Sequence, residues 1–181
     1  MTDLLERKWA LSFAQLDANR DGFADESDAR TLGRLVADSY GHPEGSPGAG
    51  RVLDAFQNLW AAIAAGMDTD GDGRVTAEEF VAGMRTVLAL ESGYDTHFQA
   101  AVDPVLDLAD SDGDGVVTLG EWRLFQQAYG TSPADADAIF ELLDVNGDGE
   151  LSRAELAAAL RDFYTSSDPD RPGNHIYGRL S

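Results

Sequence analysis

Asp110 to Glu121 reads DSDGDGVVTLGE, with carboxylates at the first, third, fifth and twelfth places and glycine at the sixth. Alternate residues of a tightly turning loop point inward. Asp110, Asp112 and Asp114 therefore aim side-chain oxygens at one spot, Val116 adds its backbone carbonyl, and Glu121 closes the set with both oxygens. Gly115 stands where the chain turns sharply, in a conformation that costs a residue with Cβ more than it costs glycine. Such a shell, all oxygen, suits a hard divalent cation.

The same pattern recurs three more times: DANRDGFADESD from Asp17 to Asp28, DTDGDGRVTAEE from Asp68 to Glu79, and DVNGDGELSRAE from Asp144 to Glu155. Each matches the EF-hand calcium loop. The ligand sets expected are Asp17, Asn19, Asp21, the Phe23 carbonyl and Asp28; Asp68, Asp70, Asp72, the Arg74 carbonyl and Glu79; Asp144, Asn146, Asp148, the Glu150 carbonyl and Glu155. Position 9, held by Asp25, Thr76, Thr118 and Ser152, acts through a water. Asp28 is one methylene shorter than the glutamates at position 12, so site one is expected to bind calcium weakly or to accept magnesium. Direct binding by Asp25 would offset this, and the residues alone leave both alternatives open. Up to four Ca²⁺ ions are expected, with Mg²⁺ as the alternative at site one.

An isolated Asp-Gly stretch is an ordinary solvated turn. Four of them, each behind a helical pattern, are not. The residues one, four and eight places before the loops are Leu16, Phe13 and Trp9; Met67, Ala64 and Trp60; Ala109, Leu106 and Val102; Leu143, Phe140 and Ala136. All are apolar, at the spacing of one helix face. The loop starts lie 51, 42 and 34 residues apart, which leaves a helix on each side of every loop. The spacing predicts an all-α EF-hand fold with helices near 3–16, 26–40, 51–67, 77–90, 95–109, 119–129, 134–143 and 153–164. Two paired lobes, 1–90 and 91–165, pack into one compact unit, with short β bridges between paired loops at Ala24, Val75, Val117 and Leu151. The connection 41–50, GHPEGSPGAG, cannot continue a helix, and Gly93 breaks the chain between the lobes. The tail 166–181 is too rich in Pro, Gly and Ser for a helix. Its Ile176, Tyr177 and Leu180 allow either a disordered end or a segment folded back over the hydrophobic face between the hands.

Among the 181 residues, 33 Asp and Glu face 13 Lys and Arg, for a formal charge of -20. That field repels phosphate backbones and anionic lipid, so neither a nucleic acid nor a membrane is an expected partner. Without cysteine there are no disulfides, zinc thiolates or thiol nucleophiles. No apolar run approaches the roughly 18 to 20 residues of a membrane span, and the N-terminus does not read as a secretory signal, so a cytoplasmic monomer is the expectation. Fifteen of the 33 acids fall at loop positions 1, 3, 5, 9 and 12, where they repel one another until cations arrive.

With these residues in hand, the chain resembles the calerythrin and sarcoplasmic calcium-binding protein family over residues 5 to 165. Length, hand order, the long first linker and the fourth hand, DVNGDGELSRAEL followed by ALRDFY, carry the likeness. The resemblance implies a compact helical fold of two EF-hand pairs and a cytosolic calcium buffer or transporter. Calerythrin-like members carry Asp at position 12 of the first loop and hold metal there, which favours a site at Asp17, Asn19, Asp21 and Asp28. Their second hand is degenerate, whereas here Asp68, Asp70, Asp72 and Glu79 are complete, so four occupied sites are expected. A sensor would need a Met-rich groove, but only Met67 and Met84 can be core. Large rigid residues, Trp9, Phe13, Phe56, Trp60, Phe80, Trp122, Phe125 and Phe140, favour a well-packed interior. A sensor with a specific protein partner is the alternative. Photoproteins share this fold and hold a luciferin with His, Trp and Tyr, but His42, His97 and His175 form no evident nucleophile-base set, so neither an enzyme nor a small-molecule substrate is expected.

Overall fold

The apolar stripe ahead of each loop is what packs in the structure, a computed structural model that describes residues 3–90 and 92–177, and of 96–98, 100 and 101 the backbone alone. Helices α1 (Leu4–Leu16) and α2 (Glu26–Ser39) flank the first loop, and α3 (Pro47–Met67) and α4 (Ala77–Ala89) the second. Helices α5 (Ala100–Leu106) and α6 (Leu119–Ala128) flank the third, and α7 (Pro133–Leu143) and α8 (Arg153–Thr165) the fourth. Trp9, Phe13, Met67, Val102, Leu106, Ala109, Ala136, Phe140 and Leu143 are buried. So are Ala29, Phe80, Trp122 and Leu156, which begin the face that each leaving helix turns inward.

Loops join back to back. Strands β1 (Phe23–Ala24) and β2 (Val75–Thr76) pair antiparallel, with Ala24 opposite Val75. Strands β3 (Val116–Thr118) and β4 (Glu150–Ser152) pair likewise, with Val117 opposite Leu151. All four of these position-8 residues are buried, so each bridge is also a hydrophobic contact beneath two loops. The halves pack together through α2 on α6, α3 on α5 and α1 on α8. Trp9 Nε1 donates to the Tyr164 carbonyl at 3.0 Å and Trp122 Nε1 to that of Ala136 at 3.0 Å, so both buried indoles are satisfied.

Two local outcomes depart from the expectations of the sequence, and a third selects between two alternatives that it left open at the tail. Helix α3 begins at Pro47 rather than 51. The Ser46 hydroxyl caps it by accepting from Ala49 N at 3.2 Å, and Pro47 takes the first helical position, where its missing N–H removes nothing. The helix before loop three is shorter and irregular: a π-helical turn, Tyr94–Gln99, runs into α5, which contains Pro104. Proline withholds a donor, and the chain after it tightens, with Leu108 N donating to Val105 O and Ala109 N to Leu106 O. The tail is folded back through Tyr177, with Asn174 and Ile176 buried; Leu180 lies outside the described residues.

Candidate metal centres

Backbone N–H groups within each loop already hold its carboxylates. The aspartate at position 1 accepts at one oxygen from the glycine at position 6: Asp17 from Gly22 at 3.0 Å, Asp68 from Gly73 at 3.0 Å, Asp110 from Gly115 at 3.0 Å and Asp144 from Gly149 at 2.9 Å. Position 3 accepts from the N–H of position 5, as Asn19, Asp70, Asp112 and Asn146 do at 2.8 to 3.2 Å. Position 5 accepts from the N–H of position 7, linking Asp21 to Phe23, Asp72 to Arg74, Asp114 to Val116 and Asp148 to Glu150. The side chains of these position-7 residues play no part in this; the Arg74 guanidinium lies over the Phe23 ring at 5.2 Å, across the bridge between loops one and two.

Position 9 proves to be the N-cap of the leaving helix, and position 12 its third residue. In loop three, Thr118 Oγ1 accepts from Glu121 N at 3.3 Å, while Glu121 Oε2 accepts from Thr118 N at 3.0 Å and from the Thr118 hydroxyl at 2.9 Å. Thr76 with Glu79 and Ser152 with Glu155 form the same reciprocal cap. The other glutamate oxygen reaches back to position 2. Glu79 Oε1 accepts from Thr69 N at 3.1 Å, Glu121 Oε1 from Ser111 N at 2.9 Å and Glu155 Oε1 from Val145 N at 3.1 Å. One carboxylate thus spans the start and end of each loop. The backbone N–H of Thr76, with the hydroxyl and N–H of Thr69, holds the Glu79 carboxyl at about 2. Partial burial works against the same effect at Glu121 and Glu155, yet donors from Thr118 and Ser152 still lower both.

Site one differs in physics as well as length. Asp28 is 2% exposed, whereas Glu79 and Glu155 are half-buried. Its oxygens accept from Asn19 N at 3.1 Å and Asp25 N at 3.0 Å, without a hydroxyl donor. Burial pushes the Asp28 carboxyl up, the two N–H groups oppose it, and the charges of Asp25 and Asp17 add to the rise. Asp25 itself caps α2, accepting from Ser27 N at 2.7 Å. Position 4 is Arg20 here, at φ 60°, where the other loops place Gly71, Gly113 and Gly147 at φ 74 to 78°. The amino-acid order carries that signal, an arginine where three loops have glycine, but a pattern scored at positions 1, 3, 5, 6 and 12 passes over it.

Carboxylate oxygens of Asp68, Asp70 and Glu79 lie within 4.8 Å of one another, as do those of Asp110, Asp112 and Glu121. Loops one and four have an amide at position 3, and Asn146 Nδ2 donates to Asp148 Oδ2 at 2.9 Å. Converging oxygens with no nitrogen or sulfur among the carboxylate donors fit Ca²⁺. His42 sits in the α2–α3 connection and His175 in a 3₁₀ turn, Pro172–His175; the side chain of His97 lies outside the described residues.

Residues 101–170 match the EF-hand domain pair family and residues 67–84 the EF hand family. Calerythrin of Saccharopolyspora erythraea is 28% identical over 156 residues, covering 84% of this chain and 87% of calerythrin. A calcium-binding protein of Streptomyces coelicolor, solved in work on prokaryotic calcium-mediated regulation, is 26% identical and superposes with a TM-score of 0.74 over 91% of this chain and 99% of its own. A coelenterazine-binding protein of Renilla muelleri in its calcium-loaded apo form shares the fold, with a TM-score of 0.76 over 99% of this chain and 100% of its own at 22% identity. By loop pattern, helix order and length-wide likeness, the chain is a calcium-binding EF-hand protein similar to calerythrin and to the sarcoplasmic calcium-binding proteins.

Proposed function

We propose that the protein is a cytoplasmic calcium buffer or carrier that takes up to four divalent cations without an enzymatic step. The observation that carries this is the glutamate at position 12 in three loops, whose two oxygens already bridge the loop start and the leaving helix. The ligands are Asp68, Asp70, Asp72, the Arg74 carbonyl and Glu79 at site two. At site three they are Asp110, Asp112, Asp114, the Val116 carbonyl and Glu121, and at site four Asp144, Asn146, Asp148, the Glu150 carbonyl and Glu155. Site one uses Asp17, Asn19, Asp21, the Phe23 carbonyl and Asp28; the shorter, buried Asp28 narrows its shell toward magnesium. A core built on Trp9, Phe56, Phe80, Trp122 and Phe163, all buried, favours a buffer over a sensor, since a sensor needs a deformable Met-lined groove.

The test is calorimetric titration with calcium, with and without magnesium, beside a hydrophobic-dye assay. Uptake at several sites with little calcium-dependent dye emission supports a buffer, and dye emission that appears only with calcium marks a sensor. A second reading has one specific support, an internal space of about 50 Å³ whose lining includes Ser12, Gln15, Phe56, Tyr129, Tyr164 and Tyr177. The lining pairs aromatic faces with hydroxyls, but the space would have to widen to admit a ring, since an apolar cavity that holds benzene is about 150 Å³; the related Renilla protein is named for coelenterazine. Visible absorbance copurifying with the protein supports this reading; a colourless preparation that leaves added coelenterazine unbound removes it.

A further inference from the structure

Lys8 is 0% exposed, the one lysine or arginine among the buried residues described. Its Nζ donates to Asp162 O at 2.9 Å, Ser166 O at 2.6 Å and Asn174 Oδ1 at 2.8 Å, so all three ammonium donors are used. Two of these acceptors belong to the C-terminal end of α8, where a positive charge is favoured; Asp162 O also accepts from Ser166 N, while Ser166 is the C-cap itself. The third belongs to the tail. Asn174, 1% exposed, also donates through Nδ2 to Asp168 O at 3.0 Å and Pro169 O at 2.9 Å, drawing 168–174 into a closed loop. Gly173 lies so close to α8 that a Cβ there would stand 2.1 Å from Ala159 O. Beyond it, Gln126 Nε2 on α6 donates to Ile176 O at 3.2 Å, Tyr177 meets Tyr164 hydroxyl to hydroxyl at 3.1 Å, and its ring stands edge-on to Phe163 at 4.9 Å.

The tail therefore stitches α8, which leaves the fourth hand, to α1, which enters the first, and to α6, which leaves the third. Opening of a sensor EF-hand swings the leaving helix against the entering one by roughly 40°. A swing of α8 or α6 would break these contacts. We propose that residues 166–177 form a clasp, latched by Lys8 and Asn174, that keeps the molecule closed while its loops take calcium. The clasp rests on the buffer function proposed above and names the part of the chain that enforces it.

The experiment uses the full chain and two variants, Gly173→Ala, whose methyl collides with α8, and Asn174→Ala, which removes the lysine acceptor and the loop donors. Neither touches a calcium loop. Three readouts are taken together: calcium uptake by calorimetry, hydrophobic-dye emission with and without calcium, and chymotryptic cleavage after Tyr177, whose ring is held against Phe163 while the tail is docked, as the measure of release. The expected result is that the parent takes calcium with little dye emission, while both variants take the same number of ions, are cut faster after Tyr177 and show a several-fold rise in dye emission only with calcium. Variants that are cut faster yet stay dark in calcium overturn the clasp, as does cleavage at the parental rate in both. Absence of calcium uptake by the parent instead sinks the buffer function, and the calorimetric trace separates that failure from the other.

Discussion

Glu121 shows how one side chain serves two states. Its oxygens satisfy the Thr118 cap and the Ser111 N–H, and the same oxygens are the pair that position 12 offers an ion in loop three. Glu121→Gln keeps the shape but offers one neutral acceptor, so calorimetry should count one calcium site fewer, with unchanged helicity when the other loops are loaded. Arg20 holds a left-handed turn that costs a residue with Cβ about 1 kcal/mol. Arg20→Gly should tighten site one and raise its loaded stability by up to that amount, less the extra chain entropy of glycine; a competition titration against a chelator reads the change. At Lys8, burial pushes the amine down to about 8, against the opposing charges of Asp162 and Asp3. Below that value the amine is charged in both folded and unfolded chains, and the cost of burying the charge is present in full. Between about 8 and the ordinary 10.5 the unfolded chain holds the extra proton, so stability rises with pH. Urea unfolding across that window should show the rise in the parent protein relative to Lys8→Met.

At the scale of elements, helix capping and ion binding draw on the same groups. Thr118 is the N-cap of α6 and also the donor that occupies a Glu121 oxygen. Thr118→Ala removes the cap, at about 1 kcal/mol of stability, and takes one donor, the Thr118 hydroxyl, from the carboxylate. Chelated protein should therefore lose more stability than calcium-loaded protein, and the number of bound ions should not change; thermal melts in chelator and in calcium make the comparison. The repeated S/T-x-x-E at positions 9 to 12 is present in three loops of the sequence, and the leaving helices begin where the spacing placed them, at 77, 119 and 153; the hydrogen bonds add the reciprocal cap that fixes those starts. Conversely, the stretch GHPEGSPGAG looks helix-free because of its Pro and Gly content, yet Ser46 and Pro47 are start signals when they stand together. The π-helical turn ahead of α5 has no comparable local signal.

For the molecule as a whole, net charge governs the response to ions. Four divalent ions would take the formal charge from -20 to about -12, relieving repulsion that a compact chain feels more than an open one. Each independent site at a hundredfold excess of calcium over its dissociation constant adds roughly 2.7 kcal/mol. Circular dichroism and melting temperature should both rise when chelated protein is given calcium, and part of the effect should be reproduced by monovalent salt alone through screening. Equal melting curves in chelator and in calcium would show that the loops do not couple to the fold. What the amino-acid order determined unaided was the four loops, the helices around them and much of the buried face of each, because a twelve-residue turn and a 3.6-residue period are local rules read within one segment; on α3 the face is rotated, with Trp60 and Ala64 half-buried and Phe56 and Ile63 turned inward. Tertiary structure alone decided that Lys8 is a core residue, that the tail is docked, and that Asp28 is buried while Glu79 and Glu155 are not. Those outcomes join groups as much as 166 residues apart; they depend on how two halves fit, and no local period encodes that fit.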